Sequence, residues 1–336
     1  MKLTATTPDS LAETAAFLRG VYHASSDSPN FNHDLLAWKY YQPGPEWEGS
    51  RSFVLRKEDA VLAHGSVWPV RLATPAGTVM AVRVLDWASS APGMGVALMN
   101  QMSKRADVVL GVGGSEDTLR VLPAMGFKQR GTARIYARVL RPWRQFRTRT
   151  FDGSRAIPRL LRNTQWSRSP LAAAAGWTCA SAVPSAFDGG AGEYPESRHS
   201  AGFLGFMLRC PGAAMSFFSL SKNGLPQGCF VLSRVGGQSR LADLRIRSEK
   251  PDDWIAAYAT AVSAAARDPQ SCELATYATV PFVCQALEAN GFRMRGEMPV
   301  LALDRKNLLG DAAHLHLGML DDDSGYLNNP ANPYCT

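Results

Sequence analysis

The clearest chemical pattern in this sequence is a pair of glycines, Gly93 and Gly95, between an apolar run and a helical pattern. The run Val79–Trp87 is rich in β-branched residues and predicts a strand, and apolar residues recur at helical spacing over Val96–Met102. The first amides of a helix lack intrahelical partners and carry the positive end of its dipole. The pattern therefore predicts either a plain tight turn or one that binds a phosphate.

Three titratable residues lie on the elements around this turn. Asp86 lies near the end of the apolar run, Glu116 opens the next helical pattern, and His64 lies in an earlier strand-like segment. A carboxylate or an imidazole can accept a proton from an attacking amine. Each also has a structural interpretation, since Asp86 could pair with Arg83, an acid is favoured in the first turn of a helix, and a strand histidine is often packed in the core.

The stretch resembles the GNAT acyl-coenzyme A N-acyltransferases, whose central motif is [RQ]-x-x-G-x-[GA]. Here the motif reads Ser90 to Gly95, with serine at the basic or amide position and both glycines kept, and Gly126-Phe127 matches the Gly-Phe that closes the family's fourth helix. The resemblance implies that acyl-coenzyme A is the co-substrate. It implies that backbone amides bind the pyrophosphate at Gly93, Met94, Gly95 and Val96. It also implies that the strand before the turn splays away from the next strand, and that its amides at Trp87, Ala88 and Ser89 bind the thioester carbonyl and the pantetheine arm.

The resemblance also suggests groups for proton transfer. It places Asp86 beside the reacting carbon as the base, with Glu116 as a second candidate. Many members carry a tyrosine four residues before the glycine of Gly-Phe, where it protonates the leaving thiolate, but here that residue is Leu122. Either the thiolate leaves unaided or through water, or Tyr136, on the last strand of the unit, substitutes, or the protein does not catalyse.

The acceptor side is expected on the helix that contains Trp38 and Tyr41. In the family this helix borders the acceptor cleft, so the resemblance implies that these rings, together with His64, contact the substrate. The helical spacing of Trp38 from Tyr41 equally fits a core position.

An internal repeat sets the architecture. The segment 35–44 matches 203–212 at an offset of 168, and 126–131 matches 291–296 at an offset of 165. Each half reads helix, strands, helix, strand, helix, strand, which resembles the GNAT fold. We expect an α/β (α+β mixed-sheet) protein with two tandem GNAT-like domains. They are a domain with the acyl-coenzyme A site at 1–140, a basic then Ala/Gly/Ser-rich linker at 141–197, a degenerate second domain at 198–305 and a C-terminal extension at 306–336.

The second half lacks the glycine turn. Its corresponding segment, 247–253, contains three acids and no glycine. Carboxylates repel a pyrophosphate, so we expect coenzyme A in the first half only, with the second half forming a wall of the acceptor cleft or having a structural role.

Composition and short sequence patterns bear on the cellular location of the protein and on metal binding. The chain has 336 residues and six cysteines without metal-ligand spacing, no apolar run near the ~20 residues of a membrane span, and no signal-peptide core. We expect a cytoplasmic protein. The acidic run 321–325 resembles a calcium loop but lacks the acid at the twelfth position, so no metal is expected.

The net charge of +7 is concentrated in residues 141–170, which hold eight arginines and one acid. Such a segment fits a solvated linker, or a clamp on an anionic ligand, better than a nucleic-acid face. We expect a helix over Ile157–Thr164, a mobile stretch over Leu171–Gly192, and an edge strand over His314–Leu320.

Three functions remain open. The first is transfer of an acyl group, acetyl in the first instance, from acyl-coenzyme A to a small amine acceptor such as an amino sugar, an amino acid or a metabolite. The second is a Fem-type transferase, also built from two GNAT-like domains, which takes its acyl group from a charged tRNA; the basic segment favours it. The third is a non-catalytic binding or scaffold protein, favoured by Leu122, Ser90 and the degenerate second half.

Overall fold

The computed structural model describes residues 1–75, 77–148, 153–187 and 193–336. The first half follows the element order expected from the sequence. Its elements are β1 Leu3–Ala5, α1 Leu11–Tyr22, α2 His33–Tyr40, β2 Ser52–Lys57, β3 Ala60–Thr74, β4 Gly77–Ser89, α3 Met94–Met102, β5 Val108–Val112, α4 Glu116–Ala124 and β6 Lys128–Val139.

The connector and the second half complete the chain. The connector contains α5 Pro142–Arg147, α6 Ala156–Ser167, β7 Trp177–Ser181 and β8 Glu196–Ser197. The second half contains α7 Ala201–Met207, β9 Ala214–Lys222, β10 Leu225–Val235, β11 Gln238–Ile246, α8 Pro251–Arg267, β12 Glu273–Ala278, α9 Pro281–Ala289 and β13 Arg293–Asp304. Short 3-10 turns lie at Pro8–Ser10, Pro29–Phe31, Gly153–Arg155, Met319–Asp321 and Asp323–Gly325.

Two local expectations are corrected. The predicted edge strand over His314–Leu320 is reduced, within the described residues, to a single bridge between His316 and Glu196. Side chains take the amides that follow: Thr279 Oγ1 accepts from Leu317 and Asp321 Oδ2 accepts from Gly318. The stretch expected to be mobile contains β7, which pairs with β9; its residues 188–192 lie outside the described part. The predicted connector helix is confirmed as α6.

The described strands join in one mixed sheet. Its order is β1-β2-β3-β4-β5-β13-β6-β12-β11-β10-β9-β7, with β8 on the side of β3. The last strand of each half lies in the sheet of the other half: β13 pairs with β5, and β6 pairs with β12. The two halves therefore share one continuous sheet, and the division of the chain into two domains stays a prediction.

The repeat brings its own counterparts together in the core. Trp38 of α2 stacks on Phe206 of α7, with ring centroids 4.8 Å apart, and donates from its indole to the Phe206 carbonyl at 3.4 Å. Trp68 and Tyr326 pack on the same pair. Burial of four large rings where the halves meet stabilises the joint through both apolar area and ring contacts. No helix in the described ranges is both long and apolar enough to cross a bilayer.

Candidate functional site

The site begins where β4 leaves β5. The two parallel strands pair only over Ala81–Arg83 and Val108–Leu110, as the family resemblance implied. Beyond Arg83 the facing edge of β4 has no partner on β5. Asp86 has a left-handed φ of 48°, and the register with β3 shifts between His64 and Ser66. This bulge bends β4 away and opens a cleft at the end of the strand.

The first part of the cleft is a cavity of about 590 Å³ around the glycine turn, which we call the turn cavity. Six of the seven residues predicted to contact the cofactor line it: Trp87, Ala88, Ser89, Gly93, Gly95 and Val96. Met94 does not line it. Its side chain packs against a core cluster, and its amide donates to the Ala91 carbonyl at 3.2 Å.

The two glycines fit the geometry of the turn in different ways. Gly93, the N-cap of α3, has a φ of 77°, which other residues rarely adopt. A Cβ on Gly95 would lie 3.3 Å from the indole nitrogen of Trp87, and this nitrogen donates to the Gly95 carbonyl at 3.0 Å. The turn therefore keeps its backbone close to β4.

The second part of the cleft is a cavity of about 260 Å³ between the diverging strands, which we call the splay cavity. Asp86, Asp323 and Leu122 line it, so the position where the family carries its acid tyrosine faces this cavity without a hydroxyl group. The two cavities are adjacent, because they share the lining residues Tyr22, Trp87, Ser115 and Thr118.

Asp86 is held by three donors on one carboxylate oxygen. Its Oδ2 lies 2.7 Å from Lys39 Nζ, 2.8 Å from the Tyr40 hydroxyl and 3.1 Å from Ser66 Oγ. Burial raises the pKa of Asp86, but the Lys39 ammonium and the hydrogen bonds lower it more, so it lies below the usual range. The alternative pairing with Arg83 is wrong, since Arg83 binds Asp322.

The splay cavity carries a net negative charge. Lys39 Nζ also binds Asp323 Oδ2 at 3.2 Å, so one buried ammonium lies between two carboxylates. Burial lowers the pKa of Lys39, but Asp86 and Asp323 raise it above its ordinary value. With Arg83 and Asp322 neutralising each other, this cluster retains one negative charge.

Two predicted catalytic residues lie outside the cleft. Tyr136 is 1% exposed in the core of the second half, and its hydroxyl donates to Glu288 Oε1 at 2.7 Å. It is there because β6 belongs to the second half's sheet. Glu116 is exposed in the first turn of α4 and lines neither cavity.

The predicted acceptor-binding residues also lie outside both cavities. Trp38 is core. The Tyr41 hydroxyl lies 2.8 Å from Thr6 Oγ1. His64 is fully buried, with Nε2 2.9 Å from Ser52 Oγ and Nδ1 3.0 Å from the Asp86 carbonyl oxygen, and burial lowers the pKa of its imidazole. These three residues therefore have structural contacts at α2 and β3 and do not line the cleft.

Tyr22 is the residue that sequence reasoning missed. It lies at the end of α1, lines both cavities, and donates from its hydroxyl to the Trp87 carbonyl at 3.3 Å. Desolvation, together with the negative charges of Asp86 and Asp323, raises the pKa of Tyr22, so the hydroxyl keeps its proton at neutral pH. Its helical spacing with Leu18 indicates only that it belongs to a helix, and nothing local marks its position beside β4.

The acidic run is engaged within the chain, and so is Arg141 at the start of the basic connector. Asp321, Asp322 and Asp323 bind His199, Arg83 and Lys39 respectively. Arg141 donates to the carbonyls of Ser271 and Ala266 at 2.7 and 2.6 Å.

Comparison with known proteins gives matches in structure. No protein-family model matches the sequence, and no curated protein matches it. A putative acetyltransferase from Pyrococcus horikoshii matches with a TM-score of 0.54 at 10% identity, over 96% of this chain and 95% of that chain. A GCN5-related N-acetyltransferase from Anabaena variabilis matches at 0.54 and 11% identity, over 90% of this chain and 72% of that chain. Saccharomyces cerevisiae N-myristoyltransferase with bound myristoyl-CoA matches at 0.57 and 13% identity, over 90% and 82%.

These likenesses are of fold. They confirm the predicted α/β architecture of GNAT-like acyltransferases, and the element order shows that each half carries one copy of its plan.

Proposed function

We propose, from the GNAT-like fold and the two adjacent cavities, that the first half transfers an acyl group from acyl-coenzyme A to a small amine. The observation that carries this proposal is that the turn cavity and the splay cavity lie side by side, with Tyr22 and Trp87 lining both. A donor held at the glycine turn would have its thioester at the place where an acceptor enters.

The donor side rests on backbone groups. In this proposal the amides at Gly93, Gly95 and Val96 bind the pyrophosphate, and the unpaired edge of β4 at 87–89 binds the pantetheine arm and the thioester carbonyl. Among the described residues, no lysine or arginine lines the turn cavity. We therefore expect affinity to depend on turn geometry, with acetyl-coenzyme A as the first donor to test.

The acceptor side rests on charge. An amino sugar, an amino acid or another small amine arrives mainly as an ammonium ion, which the net negative charge of the splay cavity attracts. Before attack, the ammonium ion held near Asp86 and Asp323 loses one proton to solvent. The amine nitrogen then bonds to the carbonyl carbon, the C–S bond breaks, and the nitrogen releases its second proton to solvent. The thiolate takes a proton from Tyr22, which solvent then replaces.

A calorimetric titration of acetyl-coenzyme A tests the donor site. We expect micromolar binding by the intact protein and at least about tenfold weaker binding by Gly93→Asp, because a carboxylate at the turn repels the pyrophosphate. The matched control is Gly224→Asp, since Gly224 has a φ of 79° and equally open space but lies in the β9–β10 turn.

Two results would contradict the proposal. One is no binding by the intact protein, which leaves the tRNA-dependent and scaffold alternatives. The other is unchanged binding by Gly93→Asp while the intact protein binds, which would show that the glycine turn does not hold the pyrophosphate.

A further inference from the structure

A second cavity, of about 370 Å³, lies at the end of β11 and the start of α8. These elements correspond in the repeat to β4 and α3, so the cavity occupies the place that the turn cavity has in the first half. Its chemistry is different. Here the turn has no glycine, and Asp253 accepts from Ser248 Oγ at 2.6 Å, so this helix start already carries a carboxylate. We call this space the ring cavity.

Four rings wall the ring cavity: Tyr194, Trp254, Phe282 and His316. Phe282 stands at their centre, with its ring centroid 4.9 Å from Trp254, 5.5 Å from His316 and 6.4 Å from Tyr194. Trp254 is fixed by an indole hydrogen bond of 2.8 Å to the Ser248 carbonyl and is 6% exposed. The aromatic wall is therefore preorganised.

The charges around these rings are mainly negative. Glu193 and Glu249 line the cavity, are exposed, and form no ion pair within the described residues. Glu196 is compensated by Arg198. Arg247 is the cationic lining residue, and its guanidinium lies 5.6 Å from the Phe187 ring centroid.

His316 adds a ring without adding positive charge. Arg245 Nη1 lies 2.5 Å from His316 Nε2. Burial and this neighbouring positive charge lower the pKa of His316 to about 4. The imidazole is therefore neutral at pH 7. The ring cavity combines neutral π-faces with an excess of free carboxylates.

We propose that the ring cavity binds a small organic cation of the quaternary ammonium class. The nitrogen of such an ion has no N–H to donate, so ring faces and nearby carboxylates are what stabilise its charge. A phosphate ester would meet the free acids, and a neutral apolar ligand would leave them unused. This site stands independently of acyl transfer, because it uses neither the turn cavity nor the splay cavity.

Choline is the probe, and 3,3-dimethylbutan-1-ol is its uncharged isostere. Titration followed by calorimetry and by tryptophan fluorescence is expected to show saturable choline binding, with the isostere at least about tenfold weaker. Phe282→Leu keeps apolar bulk and removes one ring, and is expected to weaken choline binding about fivefold. Glu249→Gln is expected to weaken it about threefold, whereas Glu48→Gln, an exposed acid elsewhere, leaves it unchanged.

The proposal is overturned if choline does not bind, if the isostere binds as well as choline, or if both Phe282→Leu and Glu249→Gln bind choline like the intact protein. Circular dichroism of each variant separates a lost site from a lost fold. Acetyl-coenzyme A binding, measured in the same samples, reports on the first half alone.

Discussion

At the scale of residues, Asp86 shows what a position in sequence can and cannot reveal. Its place near the end of β4 was predicted, and it lines the cleft. Its strength as a base was not, because that depends on Lys39, which reaches it from α2. An ammonium at 2.7 Å makes a carboxylate a weaker proton acceptor. We therefore assign Asp86 a role in attracting and orienting the amine.

Tyr22 gives the first prediction at this scale. Tyr22→Phe removes the proposed proton donor and is expected to lower kcat by about 10- to 100-fold while changing KM for acetyl-coenzyme A less than about twofold. Steady-state kinetics with a panel of amines measures both. Tyr41→Phe is the matched control, since its hydroxyl binds Thr6 outside the cleft. Unchanged kcat in Tyr22→Phe would remove Tyr22 from the mechanism.

His199 gives a prediction on pH. Its two nitrogens lie 3.0 Å from Asp243 and 3.0 Å from Asp321. Burial lowers its pKa, but the two carboxylates raise it to about 10. Because this is above the ordinary value of about 6.5, the stabilisation is complete below pH 6.5 and is lost as pH rises through 10.

Urea unfolding of the intact protein and of His199→Gln between pH 6 and 10.5 checks this. We expect the variant to be less stable by roughly 3 kcal/mol at pH 6, with the difference shrinking towards pH 10. A difference that stays constant over this range would mean that the imidazole is neutral throughout.

At the scale of elements, strands and helices were largely predictable and their irregularities were not. The apolar periodicity gave β4, α3, β5 and α4 in the right order, and Gly93 marked the start of α3. The bulge at Asp86 has no local signature, since a non-glycine residue at a φ of 48° is held there by tertiary contacts. The splay of β4 from β5 came from the family resemblance alone.

Gly228 provides the element-scale prediction. It lies in β10 at a register shift, and a Cβ there would lie 2.1 Å from the backbone oxygen of Arg245 in β11. Gly228→Ala should lower the free energy of unfolding by about 1–3 kcal/mol, because the backbone of the neighbouring strand must move. Gly20→Ala, in the exposed part of α1 with no atom near its Cβ, should be neutral or stabilising by up to about 1 kcal/mol. Thermal denaturation compares the two, and equal effects would refute the steric argument.

At the scale of the whole molecule, the repeat was visible in the sequence but the exchange of last strands was not. The offsets at 35–44 and 126–131 predict two copies of one plan, and they are equally compatible with separate or joined sheets. The exchange depends on which strand edge each of β6 and β13 pairs with, and this is β12 for β6 and β5 for β13. Because β6 joins the second half's sheet, Tyr136 lies in the core of the second half and not beside the glycine turn of the first half.

Because β6 pairs with β12, we expect the two halves to unfold together. Leu274→Ala, at a fully buried position of β12, should cost about 2–5 kcal/mol and lower the hydrogen-exchange protection of β6 amides by the same free energy. Leu225→Ala, 65% exposed, is the control. Loss of protection confined to the second half would show that the halves are energetically separate.

Because the last strands are exchanged, one edge of β5 finds its partner strand only late in the synthesis of the chain. Val108–Val112 of β5 leaves the ribosome long before Val300–Asp304 of β13, which pairs with it. Until then β5 lacks a strand on one edge, and an open edge invites pairing with other chains. The wall of the cleft that β5 forms is therefore completed late in translation. A nascent first half therefore exposes this edge of β5 until β13 has been synthesised.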